Sequence, residues 1–388
     1  MRYIQRDILT YLHKIYDTFP SVTLCGPRQS GKTTLCRKEF PHLEYVNFEN
    51  SGIRQLAIED PVSFVAQFTN GAIFDEAQLV PEIFSALQVL IDEDRFNNRV
   101  DRKFVLTGSA NFALLPNLRQ SLAGRTGIMT LLPFSIRELW DGGFNLTPDD
   151  YIYYGGYPGI WNADLSMKTD IMESYINTYV ERDVRRIMDV KDLSKFTIFL
   201  KLCAARIGTE LNRSSIAVEL GVAVSTVENW LSLLQTSYVL FLLQPWHSNI
   251  NKRLTKSPKI YFYDTGLACT LMNIHDSKDI FLNPMRGQLF ENLLIVDQVK
   301  KLANFGIKDE IFFYRDKSGK EIDLLVSTSD GLMAYEIKSG AVYRPDYMAN
   351  IKYIKKLLGD AVVKSGVIYT GEFELKKQEE GIYNYLTF

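Results

Sequence analysis

Cysteine is scarce in this chain, with four among 388 residues. Cys25, Cys36, Cys203 and Cys269 are scattered, without metal-ligand spacing or a disulfide-framework pattern, which suits a reducing cytoplasm. Long apolar runs are also lacking. The longest, such as Tyr238-Val239-Leu240-Phe241-Leu242-Leu243, are far too short to span a bilayer. Met1-Arg2-Tyr3-Ile4-Gln5-Arg6-Asp7 lacks the apolar segment of a signal peptide. Neither sign of charge dominates: the net charge is −2, so any surface for nucleic acid must be a local patch. Internal repeats and low-complexity segments are absent. The expectation is a cytoplasmic chain without membrane contact. Its 388 residues suggest two or three domains, and a 46% hydrophobic content can supply their cores.

Against these absences stands one dense motif. Gly26-Pro27-Arg28-Gln29-Ser30-Gly31-Lys32-Thr33-Thr34 reads G-x-x-x-x-G-K-[ST]. The apolar strand Ser21-Val22-Thr23-Leu24-Cys25 precedes it, and Thr34-Leu35-Cys36-Arg37-Lys38 continues as a helix. This is a phosphate-binding loop. Its backbone N–H groups cradle β- and γ-phosphates, Lys32 adds a positive charge, and the Thr33 hydroxyl can ligate Mg²⁺. ATP and Mg²⁺ are the expected ligands.

Such a loop needs a second acidic group. Ala72-Ile73-Phe74-Asp75-Glu76 meets that need: the strand delivers Asp75 beside the loop to hold Mg²⁺, and Glu76 polarises the attacking water. Phe104-Val105-Leu106-Thr107-Gly108-Ser109-Ala110-Asn111 is a buried strand with a polar end. Either Ser109 or Asn111 can sense the γ-phosphate, or cap a helix. In Ser121-Leu122-Ala123-Gly124-Arg125, Arg125 is the first candidate to reach a neighbouring subunit's phosphates, which would imply a homo-oligomer. Arg119 is the second, and a surface ion pair is the plainer role for either.

Strands at 43–48, 72–74, 103–107 and 127–132 alternate with helical patterns such as 81–92. This predicts an α/β fold with a doubly wound parallel sheet. Together with Lys259-Ile260-Tyr261-Phe262-Tyr263-Asp264-Thr265-Gly266-Leu267 and Phe290-Glu291-Asn292, these motifs resemble a family of prokaryotic AAA-type ATPases whose members carry a C-terminal domain of unknown function. The resemblance runs over nearly the whole chain. It implies that nucleotide state controls the C-terminal part. The expected division is a P-loop ATPase domain over 1–145, a helical and winged-helix region over 146–258, and an α+β domain over 259–388.

In the middle region, helical throughout from Met167 to about Gln244, residues 214–234 read as a helix-turn-helix. Ser214 would cap the first helix, Gly221 make the turn and Ser225 cap the second. Ile216, Leu220, Val227, Leu231 and Leu234 would form the shared core. The outward Thr226, Glu228 and Asn229 carry no positive charge, whereas helices entering the major groove usually bring Arg or Lys. Lys252, Arg253, Lys256 and Lys259 would form a basic wing. DNA is therefore a candidate partner, and a plain bundle packed on the ATPase is the alternative.

Near the C-terminus, Glu321-Ile322-Asp323-Leu324-Leu325-Val326 and Tyr335-Glu336-Ile337-Lys338 alternate polar and apolar residues. With Ser329 and Asp330 central in the turn, Asp323 sits opposite Glu336 and Glu321 opposite Lys338. With Asp330 and Gly331 central, Asp323 sits opposite Lys338. Either way Asp323, Glu336 and Lys338 share a face, and Glu291 on the preceding helix can join them. The pattern resembles the D…(D/E)-x-K core of restriction-endonuclease-like nucleases. That resemblance implies carboxylates for Mg²⁺ and a lysine to position water. A solvated face on an edge hairpin would show the same alternation.

Overall fold

The computed structural model describes residues 3–109, 122–179, 193–247 and 257–388. Asn111, Arg119, Lys252, Arg253 and Lys256 lie outside the described residues.

The N-terminal part is built on five parallel strands: β1 (Ser21–Cys25), β2 (Glu44–Asn47), β3 (Gly71–Asp75), β4 (Lys103–Gly108) and β5 (Thr126–Thr130), in the order β2-β3-β4-β1-β5. Strands buried on both faces need apolar side chains on both. Ile73 and Val105 pack one way with Leu12 and Leu35, while Phe74 and Phe104 pack the other way with Ile83 and Leu87. The helices supplying these partners are α1 (Leu9–Thr18) and α2 (Lys32–Glu39) on one face and α3 (Glu82–Phe96) on the other. The expected doubly wound sheet is present, with β1 between β4 and β5 and its C-terminal end leading through the loop to the start of α2.

Two short helices cross back over this sheet's carboxyl edge: α4 (Pro158–Trp161) and α5 (Lys168–Tyr179). Beyond them lie α6 (Arg213–Leu220) and α7 (Val224–Thr236), and the chain turns by 108° between the two. Gly221 makes that turn in the left-handed region, at φ 61°. The five expected core residues are all buried. The expected caps differ. Asn212, not Ser214, caps α6 by accepting from the Ser215 amide at 2.9 Å, and Ala223 opens α7 with no side-chain cap.

The helical reading through Gln244 also fails. Leu240–Leu243 is strand β6, antiparallel to β7 (Lys259–Phe262). This hairpin crosses the expected boundary at 258/259, so β7 belongs with the middle region. Among the described residues no single helix is long and apolar enough to cross a membrane.

The C-terminal part runs α8 (Arg286–Phe305), β8 (Glu310–Arg315), β9 (Glu321–Thr328), β10 (Gly331–Lys338), α9 (Ala349–Leu358), β11 (Val362–Tyr369), β12 (Leu375–Lys376) and β13 (Glu380–Asn384). Strands β8, β9 and β10 form an antiparallel meander, and α9 carries the chain over to β11, parallel to β10. The sheet order is β12-β13-β11-β10-β9-β8, so β10 is internal rather than an edge strand. One face of this sheet, with Leu324 and Ile337, shares a core with Phe290 of α8 and Trp230 of α7. The middle and C-terminal parts are therefore one packed unit. Strand β9 spends three residues where β8 spends two, between Leu325 opposite Phe312 and Ile322 opposite Tyr314. This bulge falls at Asp323 and Leu324 and re-aims the Asp323 side chain.

Candidate nucleotide site and a buried carboxylate cluster

The loop between β1 and α2 needs glycine where backbone meets backbone. Gly26 has φ 147°, and a Cβ there would lie 2.1 Å from the Leu131 carbonyl oxygen. Lys32 closes the loop from inside: its Nζ donates to the Gly26 and Pro27 carbonyls at 2.9 and 2.7 Å. Burial pulls this ammonium below its ordinary pKa, against the opposing charges of Glu76 and Asp75. Asp75, at the end of β3, accepts from Thr33 Oγ1 at 2.9 Å and from the Tyr45 hydroxyl at 2.7 Å, and Thr107 Oγ1 donates to its other oxygen. The phosphate loop and the acidic strand end are thus joined directly.

Glu76 occupies the left-handed region, at φ 57° and ψ 43°, a conformation costly for a non-glycine residue and commonest at functional sites. Its carboxylate accepts from Gln78 Nε2 and, at 3.2 Å, from Ser109 Oγ. Of the two candidate sensors, Ser109 therefore touches Glu76.

A cavity of about 560 Å³ opens over the loop, lined by Arg28, Gln29, Lys32, Thr33, Thr34 and Glu76 on one side and by Pro158, Asn162 and Tyr175 on the other. An adjoining recess of about 140 Å³ is lined mainly by Tyr3, Ile4, Leu35, Phe134, Pro158 and Asn162. The segment that carries Pro158 and Asn162 lies beyond the boundary expected at 145/146. In three dimensions it crosses back as the far wall. Buried Arg6 ties these parts together. It donates to Ser30 O at 3.0 Å and to Leu132 O at 2.5 Å, and it pairs with Glu138 at 2.9 Å.

Arg125 lies elsewhere. It precedes β5, at the end of the sheet opposite the phosphate loop, and forms a two-bond ion pair with Asp92 at 2.8 and 2.6 Å.

In the C-terminal part, β9 and β10 pair Thr328 with Gly331 through to Leu324 with Tyr335. This is the register with Ser329 and Asp330 central, which places Asp323 opposite Glu336. Lys338 Nζ lies 3.5 Å from Asp323 and contacts Glu336, so all three predicted residues meet. Glu336 is only 2% exposed and accepts from Asn350 of α9 at 3.1 Å, which rules out a solvated edge face. Glu291 also arrives: its carboxylate lies within 4.8 Å of those of Glu321 and Asp323.

Lys259 is the departure from expectation. It is not part of an exposed wing. Its side chain is 2% exposed, and its ammonium sits 3.0 Å from Glu291 and in contact with Glu321. Tyr261, two residues along the same strand, donates its hydroxyl to Glu291. Burial, reinforced by the Asp323 charge, raises both Glu291 and Glu336 to about 7. Lys259 and Lys338 are raised above the ordinary lysine value, because surrounding carboxylates outweigh the cost of burial.

Family models match three successive stretches of the chain. Residues 18–140 match the AAA domain, residues 146–278 a domain of unknown function (DUF8612), and residues 286–387 another (DUF4143). An uncharacterized protein of Mycobacterium tuberculosis is 28% identical over 372 residues, spanning 95% of this chain and 80% of that protein. One of Haemophilus influenzae is 25% identical over 291 residues, spanning 68% and 72%. Among solved structures, a Walker-type ATPase of Pyrococcus abyssi aligns with a TM-score of 0.47 at 13% identity, covering 70% of this chain and 96% of that one. The AAA-domain match and the parallel sheet with its phosphate loop define the first part as an AAA-type P-loop ATPase fold.

Proposed function

We propose that the chain hydrolyses Mg·ATP and uses its nucleotide state to control the appended module, which acts on nucleic acid. The observation that carries the ATPase reading is the direct hydrogen bond from Thr33 to Asp75, beside Glu76 and beneath a cavity large enough for a nucleotide. Hard oxygen donors of this kind suit Mg²⁺. Thr33 and Asp75 would hold the ion, which neutralises phosphate charge when bound. Lys32 exchanges its loop carbonyls for phosphate oxygens, and Glu76, released from Gln78 and Ser109, orients the attacking water. Arg125 would serve a neighbouring copy in a homo-oligomer, with its Asp92 pair broken.

Two observations support action on nucleic acid. The crossed helices α6 and α7 followed by the β6–β7 hairpin have the arrangement of a winged helix. The α-β-β-β-α-β order, with Asp323, Glu336 and Lys338 together, is similar to the nuclease core the sequence suggests. One observation favours a second reading, an ATP-regulated DNA-binding or scaffolding switch that cuts nothing: Lys259 already occupies the space between Glu291 and Glu321 and pairs with both.

Two experiments decide. Lys32→Ala should abolish ATP binding, and Glu76→Gln should keep binding while turnover falls by roughly a hundredfold or more. Undiminished turnover in either would refute the site. Mg²⁺-dependent nicking of DNA by the wild type, lost in Glu336→Ala with ATPase retained, supports the nuclease. Salt-dependent DNA binding without nicking supports the switch, and absence of both supports a scaffold.

A further inference from the structure

We propose that Lys300, on α8 of the C-terminal part, is a positioning residue of the nucleotide site and sets the wall that receives the base. This rests on the ATP reading above.

The phosphate end of the cavity is made by the loop and β3. The adjoining apolar recess is made differently. Two of its walls, Phe134 and Pro158, come from separate segments, and a single backbone hydrogen bond joins those segments, from Phe134 N–H to the Gly156 carbonyl at 2.8 Å. Later parts of the chain hold both ends of this junction. Lys300 Nζ donates to the Phe134 carbonyl at 2.8 Å, and Asp264, which caps the helix Thr265–Leu271, accepts from the Gly156 amide at 2.7 Å. Asp297, one turn before Lys300, accepts from the Ile136 amide at 2.8 Å.

The approach is close enough to demand glycine. A Cβ on Gly156 would lie 2.3 Å from the Phe134 oxygen and 3.2 Å from Lys300 Nζ. Lys300 and Asp264 are both buried. A buried ammonium without its acceptor, or a buried carbonyl without its donor, is strongly disfavoured, so the junction has little freedom to drift. The recess is mostly apolar, with Arg6, Thr34 and Asn162 as its polar lining, and at about 140 Å³ it is of nucleobase scale, as a binding site for a flat ring requires. No residue of the phosphate loop touches Lys300 through a hydrogen bond. Arg6 links this wall to the loop, lying 4.6 Å over the Phe134 ring and donating to Ser30 O. Its bonds to Leu132 O and Glu138 hold it in place without Lys300. Lys300 therefore acts chiefly on the part of the ligand that distinguishes ATP from a bare triphosphate.

The test uses the full chain with Mg²⁺ and two probes, ATP and inorganic tripolyphosphate, titrated calorimetrically. In Lys300→Met the dissociation constant for ATP should rise by about tenfold, the scale of a misplaced apolar wall, while that for tripolyphosphate stays unchanged. Lys300→Arg, which keeps a donor, should recover part of the loss. Equal weakening of both probes, or ATP affinity equal to wild type, would overturn the proposal. Should Lys300→Met fail to fold, hydrogen exchange on the wild type decides. ATP should slow exchange in 134–136, 156–158 and α8, and tripolyphosphate should not. Exchange in α8 that is indifferent to ATP would overturn the proposal. Wild type that binds tripolyphosphate but gains nothing from the adenosine would overturn it while leaving the phosphate loop intact. Binding of neither probe would overturn the ATP reading itself.

Discussion

The nucleotide site and the carboxylate cluster are built on opposite plans. The first is written in short contiguous stretches, Gly26 to Thr34 and Asp75-Glu76, and opens onto a cavity of about 560 Å³. The second draws Lys259 and Glu291 from distant segments to meet Glu321, Asp323, Glu336 and Lys338, and it is largely closed, with two ammonium groups set among four carboxylates. An open site gives its ligand room to displace internal bonds, such as those of Lys32 to the loop carbonyls and of Glu76 to Gln78 and Ser109. A closed one must lose an internal partner before it can take another.

Removing that partner should give the largest contrast. Lys259→Met leaves the partly buried Glu291 and Glu321 without their ammonium, although Arg315 stays 3.7 Å from Glu321, and breaking a buried pair costs roughly 3–5 kcal/mol. Urea denaturation should show this loss while ATP affinity of the folded protein is unchanged. A loss below about 1 kcal/mol would mean that the cluster relaxes into water.

A smaller effect follows from acidity. Glu291 titrates near 4.5 when unfolded and is raised to about 7 when folded. Between these values the unfolded chain gives up its proton first, so stability falls as pH rises from 4.5 to 7 and levels off above. Glu291→Gln cannot ionise. Its stability relative to wild type should therefore grow across that window and be flat outside it, which denaturation at several pH values would read. A constant difference would place the Glu291 carboxyl in an ordinary environment.

The smallest effect belongs to the nucleotide side. Arg125→Ala breaks a surface pair with Asp92 and should cost under about 1 kcal/mol in thermal unfolding. If Arg125 also serves a neighbouring copy, turnover should fall out of proportion to stability and depend on protein concentration. Turnover equal to wild type would confine Arg125 to its ion pair.

Legibility in the sequence followed the same division. The loop and β3 with its acidic end rest on local spacing, and they meet in the structure. For the β9–β10 turn local spacing leaves two registers open, and the pairing of Thr328 with Gly331 selects the one with Asp323 opposite Glu336. Tyr45, Thr107 and Arg6 left no local mark, because their partners Asp75 and Glu138 are brought to them only by the sheet and the returning N-terminal segment. Lys259 was misleading. In sequence it follows Lys252, Arg253 and Lys256 and reads as one more surface charge, yet it is the first residue of β7 and points into a core. The run Leu240–Leu243 is apolar on every residue, which no periodicity can assign to helix or strand; pairing with β7 decided it. Asn212 displaced Ser214 as a cap because burial of Ile216 and Leu220 set where α6 begins.

The hold of Lys300 on Phe134 spans 166 residues of chain. A nascent chain that has emerged as far as the fifth strand already holds every strand of the sheet, the loop and α2, because all their pairings lie within the first 130 residues. It cannot yet fasten the wall beside Phe134. Closing so long a loop comes late and is entropically costly, so the final shape of this pocket waits on synthesis and folding of the last third of the protein. On that reading a ribosome-bound fragment ending before α8 forms the phosphate loop ahead of the finished pocket, which matures only once the chain has been made as far as Lys300.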